Sequence, residues 1–147
     1  MPKQHQINGL SNQVGLSTLL TEQTSMEGIV QESGIPGMYV LTSGPLPPNP
    51  AKILEGPRMI SLIRDMSKQY DVILLDSPAF LVLADAALLA PIVDGVILVA
   101  RRNFIQEGAV KETRRQLAEI KAHVIGLVVN EAEPNGTYYY YRRYRQK

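Results

Sequence analysis

The sequence predicts an α/β protein in which a parallel sheet is flanked by helices. Three continuously apolar segments indicate strands that are buried on both faces, as in parallel sheets. They are DVILLD (71–76), GVILVA (95–100) and HVIGLVVN (123–130). Helical patterns separate the three segments, and strands that alternate with helices are typical of right-handed crossover units.

The residues before these strands predict short elements joined by turns. Ser17, and either Thr24 or Ser25, are suited to cap short helices. MYVL (38–41) indicates a short strand, because it is aromatic and β-branched and ends at a Ser-Gly pair. The run SGPLPPNP (43–50) contains four prolines, which favour an ordered turn or an extended loop.

Periodic apolar residues predict the helices. From 51 to 69 they recur at helical spacing, and Pro57 suits the first turn of a helix. We therefore expect one helix that ends near Glu55 and a second that begins at Pro57. Two further helices are predicted over 84–90 and 105–121, on either side of the middle strand.

Composition indicates a globular protein and excludes several kinds of site. Apolar residues make up 45% and charged residues 20% of the 147 residues, which argues against disorder. The chain has no cysteine, which excludes disulfides and thiolate metal ligands, and two histidines are too few for a histidine-rich cluster. Because no apolar run approaches the roughly 20 residues that span a bilayer, and the polar start lacks the apolar core of a secretion signal, a cytoplasmic location is expected.

Charge is distributed unevenly along the chain. The last ten residues, YYYYRRYRQK (138–147), contain four cations, no acid and five of the seven tyrosines. The remaining residues include 11 basic and 14 acidic side chains, so a mildly acidic body precedes a basic tail. Residues 1–136 are predicted to form the globular part, and residues 137–147 a flexible tyrosine-rich tail.

Polar residues end two of the apolar strands, where ligands gather in open parallel sheets. These residues are Asp76 and Asn130. One carboxylate after a buried strand suffices for Mg²⁺, which usually keeps several water molecules. A strand-end aspartate that caps a turn has the same pattern, so both interpretations stay open. Arg101 and Arg102 follow the middle strand, where a nucleotide or subunit contact and simple solvation are both compatible with the sequence.

A phosphate-binding loop is not recognisable in the sequence. Such a loop cradles phosphates with the backbone amides of a glycine-rich segment that is followed by lysine. The chain has no Gly-Lys pair, and the nearest approximation, GLSNQVGLST (9–18), lacks the lysine and follows no apolar strand. The residues alone therefore indicate a carboxylate that could bind a metal ion, but no loop that could bind phosphate.

Several segments together match the motifs of a known family. They are IPGMYVLTSGPLPPNPAKIL (35–54), QYDVILLDSP (69–78), LADAALLAPIVDGVILV (83–99), GLVVN (126–130) and the tyrosine-rich tail. In these segments the chain resembles the bacterial tyrosine kinases (BY-kinases) that drive export of capsular and extracellular polysaccharide. The resemblance implies part of a phosphate-loop NTPase fold of the MinD/ParA-like type, with ATP and Mg²⁺ as cofactors.

The resemblance implies roles for the residues that match. DVILLD looks like the family's Walker B strand, which makes Asp76 the candidate Mg²⁺ ligand and catalytic carboxylate. Asn130 lies where relatives place residues near the adenine base. The tail matches the cluster of tyrosines that family members phosphorylate on one another between subunits of a ring, here Tyr138, Tyr139, Tyr140, Tyr141 and Tyr144.

Two motifs of the family have no counterpart in this sequence. One is the lysine-bearing phosphate loop, and the other is a second aspartate motif that ends in arginines and a proline. MPKQH (1–5) resembles the stretch just after that second motif. We therefore expect a truncated or split kinase domain that is inactive alone. The alternative is a non-catalytic interaction module, or pseudo-kinase, that supplies tyrosines as phospho-acceptors.

The partners expected from the resemblance are proteins. Tyrosine and arginine in the tail are also suited to binding nucleic acid, through stacking on bases and contacts with phosphates. The family match favours instead tyrosines that accept phosphate, so no nucleic-acid partner is expected. Self-association or a complementary kinase chain is expected. The segment that carries the missing motifs should also contain the strand next to 71–76, and without that strand the apolar edge of 71–76 would be unpaired. The other implied partner is a membrane activator protein of polysaccharide export, which would bring a cytoplasmic chain to the membrane.

Overall fold

The computed structural model of the chain describes residues 3–22, 25–102 and 104–132. Two compact units make up the chain, Met1–Leu89 and Ala90–Lys147. The tyrosines of the predicted tail lie outside the described residues, and so does Thr24, one of the two candidate caps of a second short helix.

Short helices and one small hairpin form the first unit. Its hairpin pairs two strands antiparallel, which confirms the strand predicted in MYVL and adds a partner that the sequence did not indicate. The helices predicted on both sides of Pro57 and over 84–90 are also confirmed. The elements are α1 (Gln4–Ile7), α2 (Leu16–Thr21), β1 (Gln31–Glu32), β2 (Tyr39–Val40), α3 (Pro50–Leu54), α4 (Pro57–Met66) and α5 (Asp85–Leu89).

The start of α2 differs from the sequence prediction. Gly15, not Ser17, is the residue that precedes the helix, and Ser17 lies in its first turn. The helix needs no side-chain cap there, because a neighbouring segment supplies backbone carbonyls to its first N–H groups. The second short helix, with Ser25 as its candidate cap, is also wrong: the residues after Ser25 form a turn in which the Ile29 N–H donates to the Met26 carbonyl, 3.1 Å away.

Proline and asparagine define the boundary between the proline-rich run and the helices that follow it. The Asn49 side chain accepts a hydrogen bond from the Lys52 N–H at 3.2 Å, which satisfies one free donor at the start of α3. Pro50 and Pro57 occupy the first turns of α3 and α4, where the missing proline N–H costs no helical hydrogen bond. On α4, Met59 is 1% exposed and anchors the helix in the core of the first unit.

The apolar segment 72–75 does not form the strand predicted for it. No strand, helix or turn is assigned there, and the side chains of Val72 and Leu74 are 74% and 84% exposed. The prediction of a strand buried on both faces is therefore wrong for this structure. An apolar run becomes a buried strand only where neighbouring strands satisfy its backbone groups, and no described residue of the first unit pairs with it.

The second unit is a strand–helix–strand arrangement. After a short 3₁₀ turn at Ala90–Ile92, β3 (Val96–Arg101) leads into α6 (Glu107–Glu119) and then into β4 (Val124–Asn130). The two strands pair in parallel, with one irregularity near the start of β3. Both predicted strands, the helix between them and the parallel sheet are therefore confirmed.

Burial in the second unit follows the alternation of the strand. Ala100 is buried, whereas Ile97 and Val99 on β3 are largely exposed. Leu117 on α6 is fully buried at 0% exposure, while the charged residues of the same helix are in solvent. A helix with one apolar stripe and one charged face covers a sheet in this way.

Ion pairs on the charged face of α6 are expected to make the stability of the helix depend on pH in the acid range. Hydrogen bonds from Arg115, and then from Gln116, lower the pKa of Glu112 to about 2 from its usual 4.5, and the same contact raises the pKa of Arg115. Because the folded-state pKa of Glu112 is lowered, the stabilisation that it contributes is present above pH 4.5 and is lost as the pH falls towards 2.

We expect the amide-exchange protection of α6 to decline between pH 4.5 and 2, and this decline to be smaller in Glu112→Gln. The effect is modest because the pair is exposed, and 1 M salt reduces it further. Exchange rates of the α6 amides, measured across this pH range and corrected for intrinsic rates, test the prediction. Glu107→Gln removes one acid from the same helix and serves as the control. Identical acid profiles for the wild type and Glu112→Gln would contradict it.

Candidate functional site

The candidate metal carboxylate, Asp76, lies on the surface of the first unit. Its Oδ2 atom accepts a hydrogen bond from Gln4 Nε2 of α1 at 2.7 Å. Asn8 fixes the backbone of the same short helix, because its Nδ2 donates to the Gln4 carbonyl at 2.8 Å. No described residue donates a hydrogen bond to Asp76 Oδ1, and the residue is exposed, so this oxygen is available to a ligand from solvent.

These contacts bear on the turn-capping interpretation of Asp76. A turn-capping aspartate accepts a hydrogen bond from a nearby backbone N–H, and no described backbone N–H donates to this carboxylate, whose described donor is the Gln4 side chain. Among the described residues no group of three or more His, Cys, Asp or Glu could hold a metal ion. A cation at Asp76 would therefore take one protein carboxylate and complete its shell with water or phosphate oxygens, as Mg²⁺ does, and the metal-binding role of Asp76 stays a prediction.

The glycine-rich segment 9–18 is engaged with the proline-rich run. The N–H groups of Leu16 and Ser17 donate to the carbonyls of Thr42 and Ser43 at 2.8 and 2.9 Å. Backbone amides that are bonded in this way cannot cradle a phosphate. The segment therefore has a structural role, as the absence of its lysine already indicated.

Asn12 joins the same two segments through both ends of its side-chain amide. Its Oδ1 accepts from the Gly44 N–H at 2.9 Å, and its Nδ2 donates to the Gly44 carbonyl at 3.1 Å. Thr42 is buried beside it, and its hydroxyl lies 3.2 Å from the carbonyls of Ser11 and Val14. These bonds fix the beginning of the proline-rich run, and we name this contact between 11–17 and 42–44 the loop crossing.

The ends of β3 and β4 bring polar and aromatic side chains together in the second unit. Arg101 and Asn130 are register partners. Arg101 Nε donates to the Glu131 carboxylate at 2.6 Å, and the guanidinium lies 5.7 Å from the centre of the Phe104 ring. Asn130 Oδ1 accepts the Glu131 N–H at 2.9 Å.

The predicted site residues lie in different units of the chain or outside the described residues. Asp76 lies in the first unit and Asn130 at the end of β4 in the second unit, while the five tail tyrosines lie outside the described residues. Sequence reasoning did not identify Gln4, Phe104 or Glu131. An isolated glutamine, phenylalanine or glutamate in a polar segment gives no periodic or motif signal, so only the contacts reveal them.

An open cavity of about 300 Å³ lies elsewhere in the first unit. Arg58 extends along it and donates to the Leu20 carbonyl at 3.1 Å. The cavity contains none of the predicted site residues. Its lining consists of Leu19, Leu20, Glu22, Met26, Arg58, Ser61, Leu62 and Asp65.

Comparison with known proteins identifies similar chains. The EpsB protein of Ralstonia solanacearum is 38% identical over 146 residues, which is 96% of this chain and 19% of that protein. Tyrosine-protein kinase YwqD of Bacillus subtilis is 36% identical over 129 residues, which is 88% of this chain and 54% of that protein. The chain thus spans about a fifth of one relative and about half of the other. No protein-family model matches it.

A solved structure is also similar to this chain. The kinase domain of VpsO superposes with a TM-score of 0.85 at 29% identity, covering 90% of this chain and 66% of that domain. Within the part of the chain that the structure describes, none of the helices has the length and apolar character needed to cross a bilayer.

Proposed function

We propose that the 147 residues of this chain form the carboxyl-terminal part of a bacterial tyrosine-kinase domain. The relatives that match most of the chain's length are bacterial tyrosine kinases. The observation that carries the proposal is the 36–38% identity to EpsB and YwqD over 88–96% of the chain. On this proposal the fold is part of a MinD/ParA-like phosphate-loop NTPase, and the process is the biosynthesis and export of capsular or extracellular polysaccharide.

In this function Asp76 contributes the Mg²⁺-binding carboxylate. Asp76 would hold the ion, which would supply positive charge that stabilises phosphoryl transfer. The chain's own contribution is to orient the carboxylate, since the hydrogen bond from Gln4 restrains Oδ2 and leaves Oδ1 towards solvent. The sequence contains no lysine-bearing phosphate loop, so we propose that the 147 residues by themselves transfer no phosphate.

The five tail tyrosines are the proposed phospho-acceptors. Their segment carries four cations and no acid, and each phosphate adds about −1.5 to −2 charges. Two or three phosphates would therefore reverse the charge of the segment. A contact that depends on its positive charge, whether with a second chain or with a membrane activator protein, would be released.

A reconstitution assay with labelled ATP tests this function. The chain alone should incorporate no label. After addition of an amino-terminal kinase fragment that carries a phosphate loop, label should appear in residues 138–147. Replacement of the five tail tyrosines by phenylalanine should remove it, whereas replacement of Tyr39 and Tyr70 should not. Magnesium-dependent labelling of the purified chain alone would overturn the proposed inactivity.

A second candidate is a non-catalytic module that only supplies tyrosines, and it is favoured by the absence of the phosphate loop. Asp76→Asn distinguishes the two in the reconstitution assay. If the chain provides the metal carboxylate, labelling should fall about a hundredfold or more, because phosphoryl transfer depends on electrostatic stabilisation by the ion. If the chain is only an acceptor, labelling should be unchanged. Asp71→Asn is the matched control on the same segment.

The exposed segment 72–75 supports the proposed self-association. The side chains of Val72 and Leu74 lie in solvent, those of Ile73 and Leu75 are half-buried, and no described residue of its unit satisfies its backbone groups. Such a segment is a template for pairing with another chain.

We expect the purified chain to be larger than a monomer by light scattering, and the double variant Val72→Thr, Leu74→Lys to be monomeric. Leu46→Lys provides a control, because Leu46 is also an exposed apolar residue but lies in the proline-rich run. A monodisperse wild-type monomer would contradict the prediction.

A further inference from the structure

The open cavity of the first unit lies between two helices and has no part in the function proposed above. Its α4 wall consists of four residues at positions i, i+3, i+4 and i+7, which share one face of a helix. They are Arg58, Ser61, Leu62 and Asp65. The facing wall comes from α2 and from residues that follow it. We name this cavity the α2–α4 groove. Its volume of about 300 Å³ is at the lower end of the range for ligand pockets, so it suits one large side chain.

The inside of the α2–α4 groove is apolar. Leu19 and Leu20 are nearly buried, at 9% and 6% exposure. Met26 and Leu62 are half-buried, and all four residues line the groove. Methionine adapts its shape to a partner and makes favourable contacts with aromatic rings. An aromatic side chain that covered this floor would remove apolar surface from water, which is favourable.

Two carboxylates in the lining can accept further partners. Glu22 is exposed, and no described residue donates a hydrogen bond to its side chain. Asp65 Oδ1 accepts from Lys68 at 2.7 Å, which leaves Oδ2 without a described donor. Arg58 is the cation of the described lining, and its guanidinium donates to the Leu20 carbonyl at 3.1 Å. The described lining therefore carries one net negative charge, which favours a cationic occupant.

Charge complementarity identifies the tyrosine-rich tail as that occupant. Residues 1–89 contain five basic and eight acidic side chains, a net charge of −3, whereas the tail contains four cations and no acid. Surfaces of opposite charge attract each other and orient their encounter. Tyr144 is the tail tyrosine with an arginine on each side, Arg143 and Arg145. One ring between two cations complements an apolar floor that carries two carboxylates.

We propose that the α2–α4 groove binds the unphosphorylated tail of a second copy of this chain. Tyr144 covers the apolar floor, and Ser61 offers its hydroxyl a polar partner. Arg143 and Arg145 pair with the two carboxylates. The groove contains none of the residues assigned to phosphoryl transfer, so a tyrosine held there is not presented for modification.

Docking and phosphorylation of Tyr144 exclude each other on this proposal. A phosphate would bring about −1.5 to −2 charges next to Glu22 and Asp65. It would also have to lose water in order to enter an apolar groove. This exclusion rests on the function proposed above, in which the tail tyrosines accept phosphate, and it identifies the contact that the added charge releases. Binding of the unmodified tail does not depend on that function.

The contact is weak between free copies. One covered ring and two exposed ion pairs correspond to a Kd of about 1 mM. Copies that are held in one assembly reach effective concentrations in the millimolar range, roughly the same value. Docking is therefore populated within an assembly, but not at the micromolar concentrations at which light scattering measures self-association.

Titration with tail peptides, followed by methyl NMR, tests this inference. The full chain carries Tyr144→Ala, so that its own tail does not compete, and the probe is a peptide of residues 138–147. The unmodified peptide should shift the methyl signals of Leu20, Met26 and Leu62 with a Kd of about 1 mM. The same peptide phosphorylated on Tyr144 should bind about tenfold more weakly or not at all.

Matched variants separate docking from general attraction between charges. In the peptide, Tyr144→Ser should weaken binding about tenfold, because the covered ring is lost, whereas Tyr139→Ser should leave the affinity unchanged. In the chain, Glu22→Gln should weaken binding about threefold, and 1 M salt should reduce this difference. Glu32→Gln removes the same charge from another part of the first unit and should leave the affinity unchanged.

Three results would overturn the inference: no shift of the groove signals, equal binding of the peptides with and without the Tyr144 ring, or phosphorylated peptide that binds as tightly as the unmodified one. The peptide titrations contain no ATP and require no phosphate transfer. The reconstitution assay, in turn, uses a chain with an unaltered groove. Failure of the docking site and failure of the proposed function are therefore distinguishable.

Discussion

Gly15→Ala is expected to destabilise the first unit by about 3 kcal/mol, near the upper end of what overpacking costs. A β-carbon on Gly15 would lie 2.3 Å from both the Gly44 nitrogen and the Thr42 carbonyl oxygen. These are backbone atoms of the loop crossing, so no side chain can rotate away to make room. The crossing would have to open, and the hydrogen bonds of Leu16 and Ser17 would be lost with it.

Urea denaturation followed by circular dichroism measures the effect of Gly15→Ala, and amide exchange at Leu16 and Ser17 shows whether the crossing opens. Gly108→Ala is the matched control. Gly108 lies on α6 with nothing within 4 Å of the added β-carbon, so alanine should stabilise its helix by about 0.5 kcal/mol. An unchanged midpoint for Gly15→Ala would show that the two segments do not approach each other so closely.

Leu117→Ala should be the most damaging truncation in the second unit. Leu117 is fully buried, and the only other buried residue described in this unit beyond the 3₁₀ turn is Ala100. Removing a buried leucine side chain costs about 3 kcal/mol, from lost transfer energy and the cavity left behind. This is a large share of the stability of any small domain. The variant should therefore lose the packing of α6 against the sheet.

The measurement for Leu117→Ala is amide exchange across β3 and β4 together with urea denaturation. Val99→Thr is the comparison, because Val99 is 65% exposed and surface changes usually stay within about 0.5 kcal/mol. Equal losses in the two variants would mean that Leu117 is not the anchor of this unit. A fall confined to Leu117→Ala would confirm the assignment of the core.

The elements that could be predicted are those whose signals are local. Pro57 and the apolar spacing around it define α4, and Asn49 with Pro50 defines the start of α3, because caps and proline act within one turn. The segment 72–75 could not be predicted correctly, since whether an apolar run becomes a strand depends on partners that lie elsewhere. Likewise, the start of α2 depends on carbonyls contributed by residues 42 and 43.

The same distinction applies to the candidate site. Asp76 and Asn130 could be selected from the sequence because both follow apolar runs, and strand ends are where ligands gather. The partners of these residues could not be predicted in this way. Gln4 lies 72 positions before Asp76, and the pairing of Arg101 with Glu131 depends on the parallel register of two strands. Contacts between such distant positions are set by tertiary structure, which leaves no pattern in neighbouring residues.

The partly exposed apolar segment 72–75 also affects how long the protein would persist in a cell. Chaperones and proteases recognise accessible apolar chain, and the fraction of molecules that they capture falls when a binding partner covers it. A copy of the chain without a partner would therefore be degraded faster than a copy in a complex. The abundance of this chain would then follow the supply of its partner, which would match the two in number without any control of their synthesis.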